Sequence, residues 1–335
     1  MSCCRISVWP VCLLLALWLC HFGVACAQQR DLSQPEYDVA FDIGAASEIG
    51  SNDPFVGPAA VAWDGLNDNR WGTFTTFFGT DGSKQPQDFG GNANLGGAFR
   101  LGYSAPLIRD YGIGFQIGSQ VVFSGNAVQV FELLGESKDR FQSFTTVGLF
   151  QRNANGMAIG AVYDFVTQES FDNFTLGQWR VGASFELNKN FEVGVVMNLS
   201  DRSDDGDFNS IPVTLDPIEQ IRIYFRQQWS SGVQTGFWLG VADRHSEENV
   251  LTGTLPPKTN QAVFGAEIFA PLNEYLAISG ETNLVMPADT GAVDAFLGIE
   301  FAPGGIRRTR SRTNRFRALL PVASSPSFTT DITRR

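Results

Sequence analysis

The sequence predicts an all-β protein, an antiparallel up-and-down transmembrane β-barrel of about 12 strands. Three observations predict it. The chain starts with an export signal, its body alternates apolar with small or polar residues over segments of strand length, and the connections between those segments are short and long in turn. After the signal no apolar run is long enough for a membrane helix, and a closed barrel is the other structure that satisfies every backbone hydrogen bond in lipid.

Arg5 precedes an apolar run from Val11 to Cys20 and then the small-residue stretch Gly23-Val24-Ala25-Cys26-Ala27. That is a positive n-region, an h-region and an A-x-A cleavage site. Roughly 10 apolar residues are too few to span a bilayer as a helix, which needs about 20. Residues 1–27 therefore read as a signal peptide, with Gln28 as the mature N-terminus. A lipid on Cys26 is the alternative, disfavoured by Gly23 at a position where lipoprotein signals usually carry Leu. All five cysteines (Cys3, Cys4, Cys12, Cys20, Cys26) lie in this segment, so the mature chain has no disulfide, CxxC redox pair, Cys-based zinc site or Cys nucleophile.

The formal charge of −11 hides an asymmetry: residues 302–335 carry eight Arg and one Asp and the signal adds Arg5, which leaves −19 for residues 28–301. Nucleic acid is excluded as a partner of such an acidic body. Gly (35) and Phe (28) are abundant, and charged residues make up 18 %, below the roughly 25 % of a soluble domain.

Residues 28–70 are Asp-, Pro- and Gly-rich and read as an N-terminal periplasmic arm. Residues 71–301 form the barrel domain, with strands expected at 71–78, 93–105, 111–123, 140–151, 156–166, 174–187, 190–199, 218–229, 233–244, 261–270, 275–285 and 291–301. The clearest alternation places Ile113, Phe115, Ile117, Val121 and Phe123 on one face and Gly112, Gly114, Gln116, Gly118 and Gln120 on the other. Residues 157–165, 191–199 and 293–301 repeat the pattern, while 141–150 and 262–269 carry aromatics in both phases. Connections after even-numbered strands are turn-like, as in Asn188-Lys189-Asn190 and Ser230-Ser231-Gly232, whereas after odd-numbered strands 79–92, 124–139, 167–173, 200–217 and 245–260 are long and 286–290 alone is short. Short periplasmic turns and long outer loops imply an outer-membrane barrel with both termini in the periplasm. The alternative is a soluble secreted β-sandwich, a binding or structural envelope protein. The regular short/long rhythm and polar faces of Gly, Gln and Ser count against it.

The residues Asp88-Phe89-Gly90-Gly91-Asn92 to Tyr103, the block Ile113 to Phe123, and Phe131-Glu132-Leu133-Leu134-Gly135 to Phe150 resemble an uncharacterised secreted family of planctomycete bacteria over about residues 70–301. The resemblance implies an envelope location and carries no active site.

Inward-phase Arg100, Gln116, Gln120, Arg180, Glu186, Glu192, Arg222, Arg226, Asp294 and Glu300 are the lumen-lining candidates, and their mixed signs imply weak ion selectivity. With Gly, Gln and Ser elsewhere in that phase, they are expected neither to fill the lumen nor to form a hydrophobic ligand box, so that small hydrophilic solutes pass. Tyr103, Trp179, Trp229, Trp238 and Tyr275 fit aromatic girdles. No catalytic residue is singled out: His245 is the mature chain's one histidine, and its neighbour Ser246 points the opposite way on an extended chain. Asp201, Ser203 and Asp205, followed by Gly206, match the first half of a calcium loop, but Pro212 stands where the bidentate Glu belongs, which makes a weak Ca²⁺ or Mg²⁺ contact the most that is expected. No cofactor is implied. Residues 302–335, with Arg307-Arg308-Thr309-Arg310-Ser311-Arg312, read as a disordered tail suited to an anionic envelope polymer or headgroup.

Overall fold

The computed structural model describes residues 72–85, 93–126, 139–153, 155–243, 248–249, 253–254, 261–286, 292–306, 309 and 314–334. The signal, the arm, His245 and most of the Arg run at 307–313 lie outside them. In chain order the strands are β1 (Thr73–Lys84), β2 (Asn94–Ile108), β3 (Ile113–Asn126), β4 (Asp139–Arg152), β5 (Met157–Glu169), β6 (Asn173–Glu186), β7 (Phe191–Arg202), β8 (Asp204–Phe208) and β9 (Ile211–Pro217). They continue with β10 (Gln220–Gln228), β11 (Gln234–Ala242), β12 (Glu248–Asn249), β13 (Gly253–Thr254), β14 (Gln261–Pro271), β15 (Leu276–Val285), β16 (Val293–Phe301) and β17 (Thr330–Arg334). Twelve of them, β1–β7, β10, β11 and β14–β16, form one closed antiparallel barrel that β1 and β16 complete. The barrel replaces the β-sandwich alternative.

Each expected segment is a barrel strand, and the differences lie at the ends. The first strand runs on to Lys84, and β5 and β6 continue their ladder into the expected loop 167–173, leaving only Ser170-Phe171-Asp172 between them. The expected loop 200–217 holds β8 and β9, joined by Asn209-Ser210 at φ 48 and 68. Positive φ at both central residues is the mark of a tight hairpin whose twist matches its strands.

At the opposite end the turns are short for local reasons. Gly112 and Gly156 supply positive φ of 64 and 87, a conformation in which a Cβ is strained. The Asn188 carboxamide oxygen accepts from the amides of Asn190 (2.8 Å) and Phe191 (3.0 Å), and Asn273 does the same for Tyr275 and Leu276, so each side chain replaces a backbone acceptor.

Strand alternation sorts the side chains. Phe78, Leu95, Ile117, Phe123, Leu149, Phe237, Leu239 and Leu297 project outward and are exposed, while Gln116, Gln120, Asp164, Gln178, Arg180, Asn283 and Asp294 point inward and are buried. The polar face is thus the core and the apolar face the surface, the reverse of a soluble sheet. The two uncertain segments resolve the same way: Phe144 and Phe150 of β4 face inward, as do Val263 and Phe269 of β14. Trp229 and Trp179 lie on the outer face, but Trp238 does not join a girdle. It is inward and buried, with Nε1 donating to Asn283 Oδ1 at 2.9 Å, because its phase is that of Gln234 and Gly236.

Candidate functional site

The lumen is occupied by the chain's own C-terminal segment. After β16 the backbone bonds Ala302 N–H to Tyr275 O and Ile306 N–H to Glu274 O hold the chain at the short-turn end, and there Asn314 Nδ2 donates to Thr73 Oγ1 at 3.1 Å. From that end the segment climbs past Ser104, Gln116 and Thr146. At the loop end β17 adds to β9, with Ile332 opposite Leu215, to complete a three-stranded sheet β17-β9-β8.

The expectation of a disordered, solvated tail over 302–335 is therefore corrected for residues 314–334. Phe316, Leu319, Leu320, Ala323, Phe328 and Ile332 are buried. The Arg-rich stretch runs directly into Ala318-Leu319-Leu320-Pro321-Val322-Ala323, whose apolar and small side chains belong to a packed environment.

The wall grips this segment mainly by its backbone. Ser104 Oγ donates to Phe316 O (2.8 Å), Gln116 Nε2 to Leu320 O, Arg180 Nη2 to Pro321 O (2.7 Å), and Gln178 and Asn198 both to Ser327 O (3.0 and 2.9 Å). Gln116 Oε1 accepts from Leu319 N–H, Thr146 Oγ1 from Ala323 N–H and Gln85 Oε1 from Thr330 N–H. Each such bond contributes about 0.5–1.5 kcal/mol net, and an unmade buried partner costs more than that. Inward glycines make room for the side chains. A Cβ at Gly160 would stand 3.1 Å from Leu319, one at Gly182 3.0 Å from Leu320, and one at Gly118 would collide with Val322. The Gly of the polar phase is thus space for the segment rather than open lumen.

Two charge clusters fix its position. Arg180 and Asp164 form a bidentate pair with side chains 2 % and 0 % exposed, and Asp164 also accepts from Thr146 (2.7 Å) and Gln178 (3.0 Å). Glu192 accepts from Tyr224 OH (2.9 Å), Arg226 (3.1 Å) and, on the segment, Arg317 (3.1 Å), while Glu186 lies 3.7 Å from Arg317.

Towards the loops the lumen is sealed by apolar packing. Phe77, Phe144, Phe174, Phe208, Leu215 and Phe296 pack with Ala323, Phe328 and Ile332 of the segment. The expectation of a lumen without a hydrophobic cluster is corrected here. Those phenylalanines occupy the polar phase of their strands, and single inward aromatics do not disturb an otherwise alternating pattern. Nearer the short turns a cavity with about 130 Å³ of room for water centres remains, lined by Arg100, Arg226, Glu267, Glu281, Glu300 and Arg317.

The ten lining candidates all point inward, but they do not converge on one constellation. Arg100 lies between the Phe77 and Phe296 rings at 4.7 and 4.5 Å, Asp294 accepts from Gln85 at 3.1 Å, and Gln120 and Glu300 are buried in the wall. Gln116, Arg180, Glu186 and Glu192 meet the segment, while Arg222 and Arg226 stand together over Trp238 and Tyr224. Residues missed in the sequence are Asp164, Gln178, Thr146, Gln85, Glu267 and Glu281. Phase on strands already delimited would have found all of them but Gln85, which lies in the expected loop 79–92 just beyond the end of β1.

The half calcium loop is not assembled. Asp201 ends β7 and accepts from Tyr163 OH (2.9 Å), Asp205 lies in β8 and accepts from Thr214 Oγ1 (2.6 Å), and Ser203 bonds Asp216. Among the described residues no group of three or more His, Cys, Asp or Glu is placed to hold a metal. The cause is local: β7 ends at Arg202 and β8 begins at Asp204, and each of the three side chains is taken up by a different neighbour, Tyr163 of β5 or Thr214 and Asp216 of β9.

Asp216 faces Asp331 directly across the β9–β17 ladder. Burial raises the Asp216 carboxyl above its usual range, and nearby Asp205 raises it further. A raised folded pKa means that the protonated form is favoured by folding. The sheet is therefore tightest below the ordinary carboxyl value of 3.8 and loosens as pH rises through the raised one. Amide protection in β17 is expected to fall over that window by the equivalent of about 0.2–1 kcal/mol, and Asp216→Asn is expected to flatten the dependence. Equal pH dependence in both proteins would refute it.

Residues 73–330 match a family described as "Family of unknown function (DUF6666)". No curated protein matches the sequence. Among solved structures, the COG4313 outer membrane channel from Pseudomonas putida F1 is 12 % identical with a TM-score of 0.49, over 69 % of this chain and 94 % of its own. The KdgM porin is 8 % identical (TM-score 0.40; 68 % and 98 %). The outer membrane phospholipase A from Escherichia coli is 10 % identical (TM-score 0.38; 68 % and 89 %). Likeness at this level carries nothing about activity.

Proposed function

We propose that the chain, which belongs to the DUF6666 family of unknown function, is an outer-membrane β-barrel that forms a channel for small hydrophilic solutes and is held closed by its own C-terminal segment. The observation that carries this reading is the inverted sheet: exposed Phe, Leu, Ile and Val outside, buried Gln, Asn, Asp and Arg inside. So large an exposed apolar surface is untenable in water and suits lipid. Barrel strands of 9 to 15 residues meet the roughly 9–11 residues that a tilted strand needs to cross a bilayer. The signal at 1–27 supports export, and short turns at the end where β1 begins and β16 finishes support periplasmic termini. We read the role as non-catalytic: Asp164 pairs with Arg180, and Glu192 with Arg226 and the segment's Arg317, which makes these structural groups.

The test is fractionation. The protein is expected in the membrane fraction after a carbonate wash, to need detergent for extraction, and to migrate differently on a gel before and after boiling. Recovery in the wash as a soluble protein would sink the membrane reading.

A further inference from the structure

A second cavity, with about 60 Å³ of room for water centres, lies between the segment and the wall of β10, β11, β14 and β15. Its floor is the Trp238 indole, laid over Gly265 so closely that a Cβ there would strike the ring. Leu319, Leu320 and Pro321 of the segment roof it.

A guanidinium and a carboxyl line this cavity without forming an ion pair. Arg222, 7 % exposed, lies 5.6 Å from the Trp238 ring centre and makes one long bond of 3.4 Å to the neutral Asn198. Glu281 lines the same space from β15 and stands directly opposite Glu267 across the β14–β15 ladder. Like charges in facing positions repel. Glu267 is paired with Arg226, and among the described residues no hydrogen bond or salt bridge to the Glu281 carboxyl is found, which leaves it an open acceptor. A guanidinium and an acceptor carboxyl held apart over an aromatic floor are complementary to a ligand that carries a carboxylate and an ammonium.

We propose that this cavity binds a small zwitterion of the amino-acid class, its carboxylate on Arg222, its ammonium on Glu281 and its carbon body on the Trp238 face. A charge-assisted hydrogen bond forms at each end, and the ammonium also gains from the indole face. The size agrees: at 10–15 Å³ per water the cavity holds about five waters, the bulk of a small amino acid, and it shares Arg226, Glu267, Glu281 and Leu319 with the larger cavity. The inference rests on the barrel and its bound segment, and neither on membrane location nor on conduction.

The experiment is calorimetric titration of the full-length protein in detergent with L-alanine, propionate and ethylamine. L-Alanine is expected to bind saturably, and each single-charge analogue roughly tenfold or more weakly, the cost of one charge-assisted bond. Glu281→Gln is expected to lower L-alanine affinity by a similar factor and leave propionate unchanged; Arg222→Gln is expected to weaken L-alanine and propionate alike. Because Glu281→Gln removes a repulsion with Glu267, it should fold, and it decides the matter where Arg222→Gln fails to. No saturable L-alanine binding, propionate binding as tight as L-alanine, or full L-alanine affinity in Glu281→Gln would each overturn the proposal.

Discussion

Removing residues 314–335 is expected to turn a closed barrel into a conducting one. The barrel ladders do not involve the segment, since every barrel strand pairs with two others and β17 pairs only with β9. The truncated chain should keep its gel shift on boiling. What it loses is the filling: Leu319, Leu320, Val322 and Ala323 leave the glycine-lined wall, and Ser104, Gln116, Thr146, Gln178 and Asn198 exchange peptide partners for water. A twelve-stranded interior lies between the packed eight-stranded and the open sixteen-stranded cases, so occupancy by the segment decides between closed and open. In planar bilayers the full-length protein should be silent or open rarely, and the truncated protein should give steady conductance steps. Inward Asp81, Asp164, Glu186, Glu192, Glu267, Glu281, Asp294 and Glu300 outnumber the inward arginines, so a modest cation preference that fades with salt is expected. Equal conductance with and without the segment would show that it is not the closure. Silence of a correctly folded truncated barrel would place the closure at the inward phenylalanines Phe77, Phe144 and Phe296.

Asp164→Asn should be the most damaging single change in the wall. It leaves the Arg180 guanidinium buried without its counterion, and it replaces by an NH2 donor one of the two oxygens that accept from Thr146 (Oδ1) and Gln178 (Oδ2). Breaking one partner of a buried pair costs about 3–5 kcal/mol, whereas replacing both partners by well-packed apolar residues is often neutral or stabilising by about 1–4 kcal/mol. The double variant Asp164→Leu/Arg180→Met should therefore recover most of the barrel's stability while losing the donor to Pro321 O, and so give a stable barrel with a looser segment. Urea titration in detergent, read by the gel shift, checks the first expectation, and trypsin cleavage at Arg317 checks the second. A shift in Asp164→Asn of less than about 0.5 kcal/mol would mean that the pair is hydrated, contrary to its burial.

The ladder of twelve strands was legible because barrel alternation is local: Ile113 to Phe123 states its two faces within one segment, and Asn188 or Asn273 states its turn within three residues. The site was legible by half. Alternation assigns Arg180 or Gln116 to the inner face, but it says nothing about which inner groups meet, since Arg180 reaches Asp164 within the wall and Pro321 on a segment 141 residues away.

By itself the sequence determined the barrel's strand count, the phase of the cleanly alternating wall segments and the position of the short turns, since a period of two and the chemistry of Asn and Gly act over a few residues. Only the tertiary structure decided that the polar phase is filled. Whether an inward Gly118 or Gly182 is empty space or a seat for Val322 or Leu320 depends on a segment far along the chain. That segment has no period to reveal it, because it crosses the lumen as an irregular chain held by side chains of the wall rather than by a ladder of its own.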